Sequence, residues 1–398
     1  MKTRRSLAIL FVIVFVDLLG FGMVIPVMAL YAERLGAPDS QIGWLMTGYS
    51  AMQFVFAPIW GRLSDRLGRR PLLLLSIAMT AVAFLGYAVA PSFAWLLVSR
   101  LFAGAATANI GIAQAYIADV TPPEGRARGM GLIGAAFGLG FILGPAMGGL
   151  LSGISLAAPG YAAAVLAAAN GVAAFFVLPE PSARVEAHHR PRLTRLVEEF
   201  KKPGIRRLIV IYLFAILAFS GMEATFALLA AHRYHLDRSG VSYVFAFIGV
   251  VVTVVQGGLI GPLTRRFGER ALLVTGLLAQ AVGLAALPYA GGLGGLLAAC
   301  LPLAFGSGLT TPALTSLISR SAAADDQGST LGVGQSAAAL GRVVGPISAT
   351  NAYDRLWFAA PYLGGAVIML ATAAVGSTLR RPTPNGGAAA APAAARGE

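Results

Sequence analysis

The feature that most restricts how this chain can fold is a short arginine-rich stretch caught between two long apolar runs. Gly61-Arg62-Leu63-Ser64-Asp65-Arg66-Leu67-Gly68-Arg69-Arg70-Pro71 places four arginines and one aspartate between residues 42–60 and 72–90. About 20 apolar residues suffice to cross the hydrocarbon core of a bilayer. Two crossings joined by so few residues must double back, so the stretch is a tight loop at a membrane face. Arginine in a short loop marks the cytoplasmic side.

A second version lies 200 residues on, at Gly261-Pro262-Leu263-Thr264-Arg265-Arg266-Phe267-Gly268-Glu269-Arg270-Ala271-Leu272-Leu273. Gly61, Leu63, Arg66, Gly68, Arg70, Leu72 and Leu73 all recur at that offset. Glycines at fixed spacing serve tight turns and close backbone approach. A chance match of two basic loops is a poor account of seven identities in thirteen positions; an internal repeat is the better one.

Composition agrees with a membrane protein. The chain is 57% hydrophobic and 12% charged, with mean hydropathy +0.74, where soluble domains are about a quarter charged. The net charge of +13 would suit nucleic acid, but the basic residues sit in short loops between apolar runs, so no nucleic-acid partner is expected. Cys300 is the single cysteine, and the four histidines lack metal spacing, so no metal, disulfide or cofactor is expected. No nucleophile–base pair or phosphate loop points to an enzyme. The apolar N-terminal run is too long for a signal peptide and is interrupted by Asp17 and Pro26, so it reads as a retained first helix.

Twelve spans follow: 7–31, 42–60, 72–90, 94–118, 130–151, 161–178, 208–230, 241–260, 271–289, 293–319, 330–350 and 357–379. The fold class is an all-α polytopic membrane protein of twelve transmembrane helices in two six-helix repeats. With the N-terminus inside, 24 basic residues fall on the cytoplasmic side and four (Arg34, Arg233, Arg238, Arg355) outside, so both termini are expected in the cytoplasm. The domains are an N-terminal half (1–178), a polar cytoplasmic loop (179–207), a C-terminal half (208–379) and an Ala/Gly/Pro-rich tail (380–398) expected to be disordered. An amphipathic surface helix is expected at 194–202. The halves are also related through their fifth and eleventh spans: Gly131, Gly140, Gly144 and Pro145 recur as Gly332, Gly341, Gly345 and Pro346 at an offset of 201. Parallel repeats of this kind suit a transporter whose halves are related by an axis along the membrane normal.

Gly61, Asp65, Arg66, Gly68, Arg69 and Arg70 resemble the signature between the second and third helices of the major facilitator superfamily of secondary transporters. In that family the acid at the position of Asp65 sits by the start of the eleventh helix. The base at the position of Arg69 pairs with an acid ending the fourth helix, here Asp119. The set implies a latch that holds the halves together in one state; a plain topology signal with an incidental ion pair is the alternative. Gly140, Gly144, Pro145, Gly148 and Gly149 resemble the fifth-helix signature of drug/proton antiporters. Glycines spaced four apart also let any neighbouring helix approach closely.

Charges inside spans are costly and mark function by default. Asp17 lies ten residues into the first span, about 15 Å deep at about 1.5 Å per residue. Arg100, in Arg100-Leu101-Phe102-Ala103-Gly104, resembles the family's fourth-helix signature, whose arginine is linked to proton transfer. Glu223 sits in the seventh span and Arg342 in the eleventh. Proton coupling is assigned to Asp17, Arg100 and Glu223, with Arg100 the expected partner of Asp17 and Arg342 that of Glu223; a structural ion pair or snorkelling is the alternative for each. Asn109, Gln114, Thr310, Thr311, Gln53, Gln256 and Glu223 are substrate-contact candidates, with interhelical hydrogen bonding the alternative for the neutral ones.

Asp17-Leu18-Leu19-Gly20-Phe21-Gly22 resembles the first helix of tetracycline-type exporters, but the acid those carry in the ninth helix is missing from 271–289. The resemblance therefore implies an antiporter of the inner membrane, expelling small amphipathic or drug-like molecules in exchange for protons. Its expected partners are a small-molecule substrate, protons and the lipid bilayer, and a monomer is expected. Uptake of a sugar, organic acid or other metabolite, and a non-transporting sensor on the same fold, are the alternatives.

Overall fold

The computed structural model describes residues 2–107, 109–121, 123–180, 203–321 and 327–379. The expected surface helix at 194–202 and the tail from 380 lie outside these. Among the described residues there are helices and turns but no strands. In chain order the helices are α1 Lys2–Arg34, α2 Asp39–Leu67, α3 Arg69–Ala88, α4 Phe93–Ala106, α5 Asn109–Val120, α6 Pro123–Ser152 and α7 Ala158–Val177, then α8 Pro203–Tyr234, α9 Arg238–Val254, α10 Ile260–Phe267, α11 Glu269–Ala286, α12 Gly292–Ser321, α13 Gln327–Arg355 and α14 Ala360–Ser377. In hydrocarbon every backbone group must be bonded within its own segment, which leaves helices as the form these apolar runs can take.

Among the described residues nine helices are long and apolar enough to cross a membrane. The three remaining long helices are α2, α6 and α13, which agrees with twelve crossings. These three carry glycines where they pack on other helices. Glycines of α6 lie on α1, glycines of α13 lie on α8, and Gly43 of α2 lies against α13, where an added Cβ would come within 2.7 Å of Pro346 O.

Two spans depart from the expected single helices. The fourth breaks at Thr107, whose backbone is extended and whose hydroxyl bonds Ala103 O at 2.7 Å. The eighth runs from α9 through a π turn at Val255–Leu259 into α10; the turn contains Gly257 and Gly258. Non-helical backbone at membrane depth occurs where it is buried in protein or lines a cavity.

The contacts between halves cluster at the end of the bundle carrying the turns after α1 and α8. Glu33 meets His232 at 2.9 Å, Thr47 Oγ1 donates to Val343 O at 2.7 Å, and Ser239 Oγ donates to Gly149 O at 3.1 Å. Burial there pushes the Asp39 carboxyl above its usual range; nearby His232 opposes this, while Glu33 and Asp354 reinforce it. The folded state therefore holds that proton more tightly than the unfolded chain, and this contribution to stability fades as pH rises through the raised value.

Candidate functional site

At the opposite end, the α2–α3 turn is built around Gly68, whose φ of +112° suits glycine. Directly after it, Arg69 is folded into the bundle. Its guanidinium meets Asp65 at 2.5 Å, Asp119 at 2.9 Å and Ser64 Oγ at 2.7 Å. The Arg69 and Asp119 side chains are only 7% and 3% exposed. Arg70 donates to Phe175 O at 2.5 Å and lies over the Phe175 ring. Arg66 is exposed, and a Cβ on Gly61 would meet nothing within 4 Å.

Sequence reasoning missed Glu180. Its carboxylate accepts the backbone N–H groups of Arg69 and Arg70 at 2.7 and 2.9 Å, placing an anion on the positive start of α3. A Cβ at Gly68 would come within 2.8 Å of that carboxylate. The one available signal was that Glu180 is the first charge after the sixth span. The described bonds of the cluster join residues of the N-terminal half and Glu180 just beyond it. The expected seat of Asp65 is the start of the eleventh span, where α13 begins at Gln327.

The glycines of α6 have clear steric reasons. A Cβ at Gly140 or Gly144 would come within 2.7 Å of Leu18 or Gly22, one at Gly148 would strike Met23 O, and one at Gly149 would lie 2.7 Å from Ser242. Pro145 sits inside the same helix.

The broken fourth span brings Asn109 to Asp17, with Nδ2 donating to Oδ1 at 3.0 Å. Arg100 lies over the rings of Tyr49 at 4.5 Å and Phe21 at 5.8 Å, and its buried Nε has no hydrogen-bond partner among the described residues. Asp17 and Arg100 line one small cavity of about 10 Å³ with Phe21, Tyr49, Thr80 and Thr107. Asp17 and Arg100, the expected partners, share this cavity without a described ion pair. Among the described residues Asp17 is held by an amide, and Arg100 is held by aromatic faces. Glu223 is half-buried and within electrostatic reach of Arg342, with no direct ion pair described.

Thr310 and Thr311 come together at a second cavity of about 90 Å³, where Gln280 donates to Thr310 at 2.8 Å. Gln53, Gln114, Glu223 and Gln256 line neither cavity. Gln114 and Gln256 are exposed, and Gln256 lies in the π turn.

The model of the Major Facilitator Superfamily matches residues 10–346 and 259–396. The chain belongs to the major facilitator superfamily. It is therefore a multi-pass membrane transporter of small molecules rather than an enzyme. It is 32% identical to the class C tetracycline resistance protein of Escherichia coli, over 93% of this chain and 96% of that one. It is 29% identical to multidrug resistance protein 2 of Bacillus subtilis (strain 168), over 90% of each chain. Among solved structures, the human organic anion transporter MFSD10 (TETRAN) superposes with a TM-score of 0.71 at 25% identity, covering 94% of this chain and 100% of that one.

Proposed function

We propose that this transporter is a proton-coupled exporter of small amphipathic, drug-like molecules. It would sit as a monomer in the inner membrane with both termini in the cytoplasm, its six-helix halves (1–178 and 208–379) joined by the 179–207 loop. The observation that carries the coupling is Asp17, held by Asn109 at 3.0 Å inside the first span and sharing a cavity with Arg100. A carboxylate at such depth is costly, and its presence there marks a functional site. Glu223, in the equivalent span of the other half, is the second proton carrier or a counter-charge for cationic substrates. Arg100 keeps a positive field on Asp17 without neutralising it by direct contact. Asn109, Gln114, Thr310, Thr311, Gln53 and Gln256 supply substrate contacts as the cavity opens.

In this reading the halves close at the outer end, and the arginine loop is the inner latch. Asp65, Arg69 and Asp119 brace the loop, and Gly61, Arg66, Gly68 and Arg70 shape it. The glycine face of α6, from Gly140 to Gly148, lets α1 and α6 move as one packed pair. Support for export comes from the whole-length similarity to resistance proteins. Tetracycline itself is not assigned, since 271–289 carries no acid beyond the membrane face.

Inverted membrane vesicles test the direction. Acidifying their lumen should drive accumulation of a fluorescent drug, and collapse of the gradient should release it. Accumulation only in right-side-out vesicles would make the protein an importer.

A further inference from the structure

The two internal cavities differ in size and in chemistry. The N-terminal one is about 10 Å³, room for about one water, and its wall carries Asp17 and Arg100. Buried polar atoms around it lack described partners: Arg100 Nε and Thr80 Oγ1, with Asn109 Oδ1 beside Asp17. A single water with two to four polar neighbours is what such a site accepts. The C-terminal cavity is about 90 Å³ and its wall carries no charge. Ile216, Phe219 and Leu314 give it an apolar face; Tyr212, Gln280, Ser307 and Thr311 give it a hydrogen-bonding edge. Gln280 commits an amide N–H to Thr310, and Thr310 in turn donates to Gly306 O at 2.8 Å. The hydroxyls of Ser307 and Thr311 have no side-chain hydrogen bond among the described residues. Arg342 acts on Tyr212 from outside the lining, which disfavours a cationic group there.

We propose that the two cavities divide the work: the C-terminal one binds the uncharged, hydrogen-bonding edge of an amphipathic substrate, while the N-terminal one holds a water and serves proton transfer at Asp17. This rests on the export reading and deepens it. The substrate class is a molecule presenting amide, hydroxyl or keto groups beside an apolar ring. A cation would have to place its charge away from this cavity; Glu223, one helical turn beyond Phe219, is the nearest acid on that helix. Cationic head groups are excluded from the cavity itself because burial without a counter-charge is costly.

The test separates binding from flux. Purified full-length protein in detergent is titrated with chloramphenicol (uncharged) and ethidium (a permanent cation), and the same proteins are reconstituted for gradient-driven flux. Ser307→Ala with Thr311→Val, which leaves the Gln280–Thr310 bond alone, should weaken chloramphenicol binding roughly tenfold and ethidium binding less than about twofold. Asp17→Asn should leave chloramphenicol binding within about twofold while removing gradient-driven flux. Gln280→Leu serves as a second cavity variant and should behave like the first. A wild-type protein that binds no chloramphenicol overturns the proposal. So does an Asp17→Asn variant that loses binding while the cavity variants keep it. If gradient-driven flux is absent in the wild type yet the binding pattern holds, the export reading fails and the cavity assignment stands.

Discussion

The two arginine-loop copies occupy the same place in their halves and hold it with opposite charges. In the N-terminal copy Arg69, just after Gly68, reaches Asp119 at the end of the fourth span. In the C-terminal copy Glu269, just after Gly268, reaches Arg320 at the end of the tenth span at 2.6 Å. The offsets are 200 and 201, those of the sequence repeat. Arg70 and Arg270 also repeat one contact: each donates to a carbonyl late in the last span of its half, Phe175 O and Ser377 O. What the fold requires there is a pair of opposite sign, and polarity is free to reverse. The two differ in depth. Arg69 and Asp119 are nearly buried, whereas Arg320 is 47% exposed and Glu269 13%. Among the described residues the first copy adds Asp65, Ser64 and the Glu180 cap, and the second adds Ser316, whose Oγ donates to Glu269 at 3.2 Å. The first is therefore a rigid brace, and the second is a surface tie.

The largest expected effect breaks this contrast if it fails. Arg69→Ala strands two carboxylates, one of them buried, and should destabilise the protein by about 3–5 kcal/mol. Arg320→Ala removes a largely exposed partner and should cost about 1 kcal/mol or less. Thermal unfolding in detergent measures both, and equal losses would erase the distinction between brace and tie. Next comes polarity itself. Glu269→Arg sets two like charges together and should lower the melting temperature; adding Arg320→Glu should restore it. A double variant no better than the single one would show that polarity is fixed by something other than the pair.

The smallest effect concerns the turns. Gly68→Ala and Gly268→Ala both force a side chain into positive φ, at about 1–3 kcal/mol. Only at Gly68 does the new Cβ meet a neighbour, the Glu180 carboxylate; at Gly268 nothing lies within 4 Å. Gly68→Ala should therefore cost more, by about 1 kcal/mol for the displaced cap. Adding Glu180→Gln should shrink that difference.

Most of the architecture was legible because apolar runs of spanning length separated by basic turns leave few alternatives. The break at Thr107 was not, since no proline or glycine interrupts Ala106 to Asn109. The π turn had a visible cue in Gly257-Gly258, but paired glycines inside a span serve packing as readily. Charges inside the spans were found at Asp17, Arg100 and Glu223 because charge in hydrocarbon stands out by itself. Their partners were harder: Arg100 was expected on Asp17, and the structure puts Asn109 there. Which side chain answers a buried acid depends on how two helices are rotated, and single residues do not encode that. Glu180 shows the same limit, since its partners lie 111 and 110 residues away. The reversed pair Glu269–Arg320 was within reach by laying the repeats over each other, because Arg69 and Asp119 map directly onto it.

The central claim is that proton coupling resides in the intramembrane carboxylates. Its most direct test is flux driven by a pH gradient in proteoliposomes, for Asp17→Asn, Glu223→Gln and the two together, each shown folded by its unfolding curve. The account predicts that Asp17→Asn and the double variant lose gradient-driven transport. Glu223→Gln should lose it too, or fail selectively with cationic substrates. Full gradient dependence in the double variant would contradict the claim and place the coupling elsewhere in the chain.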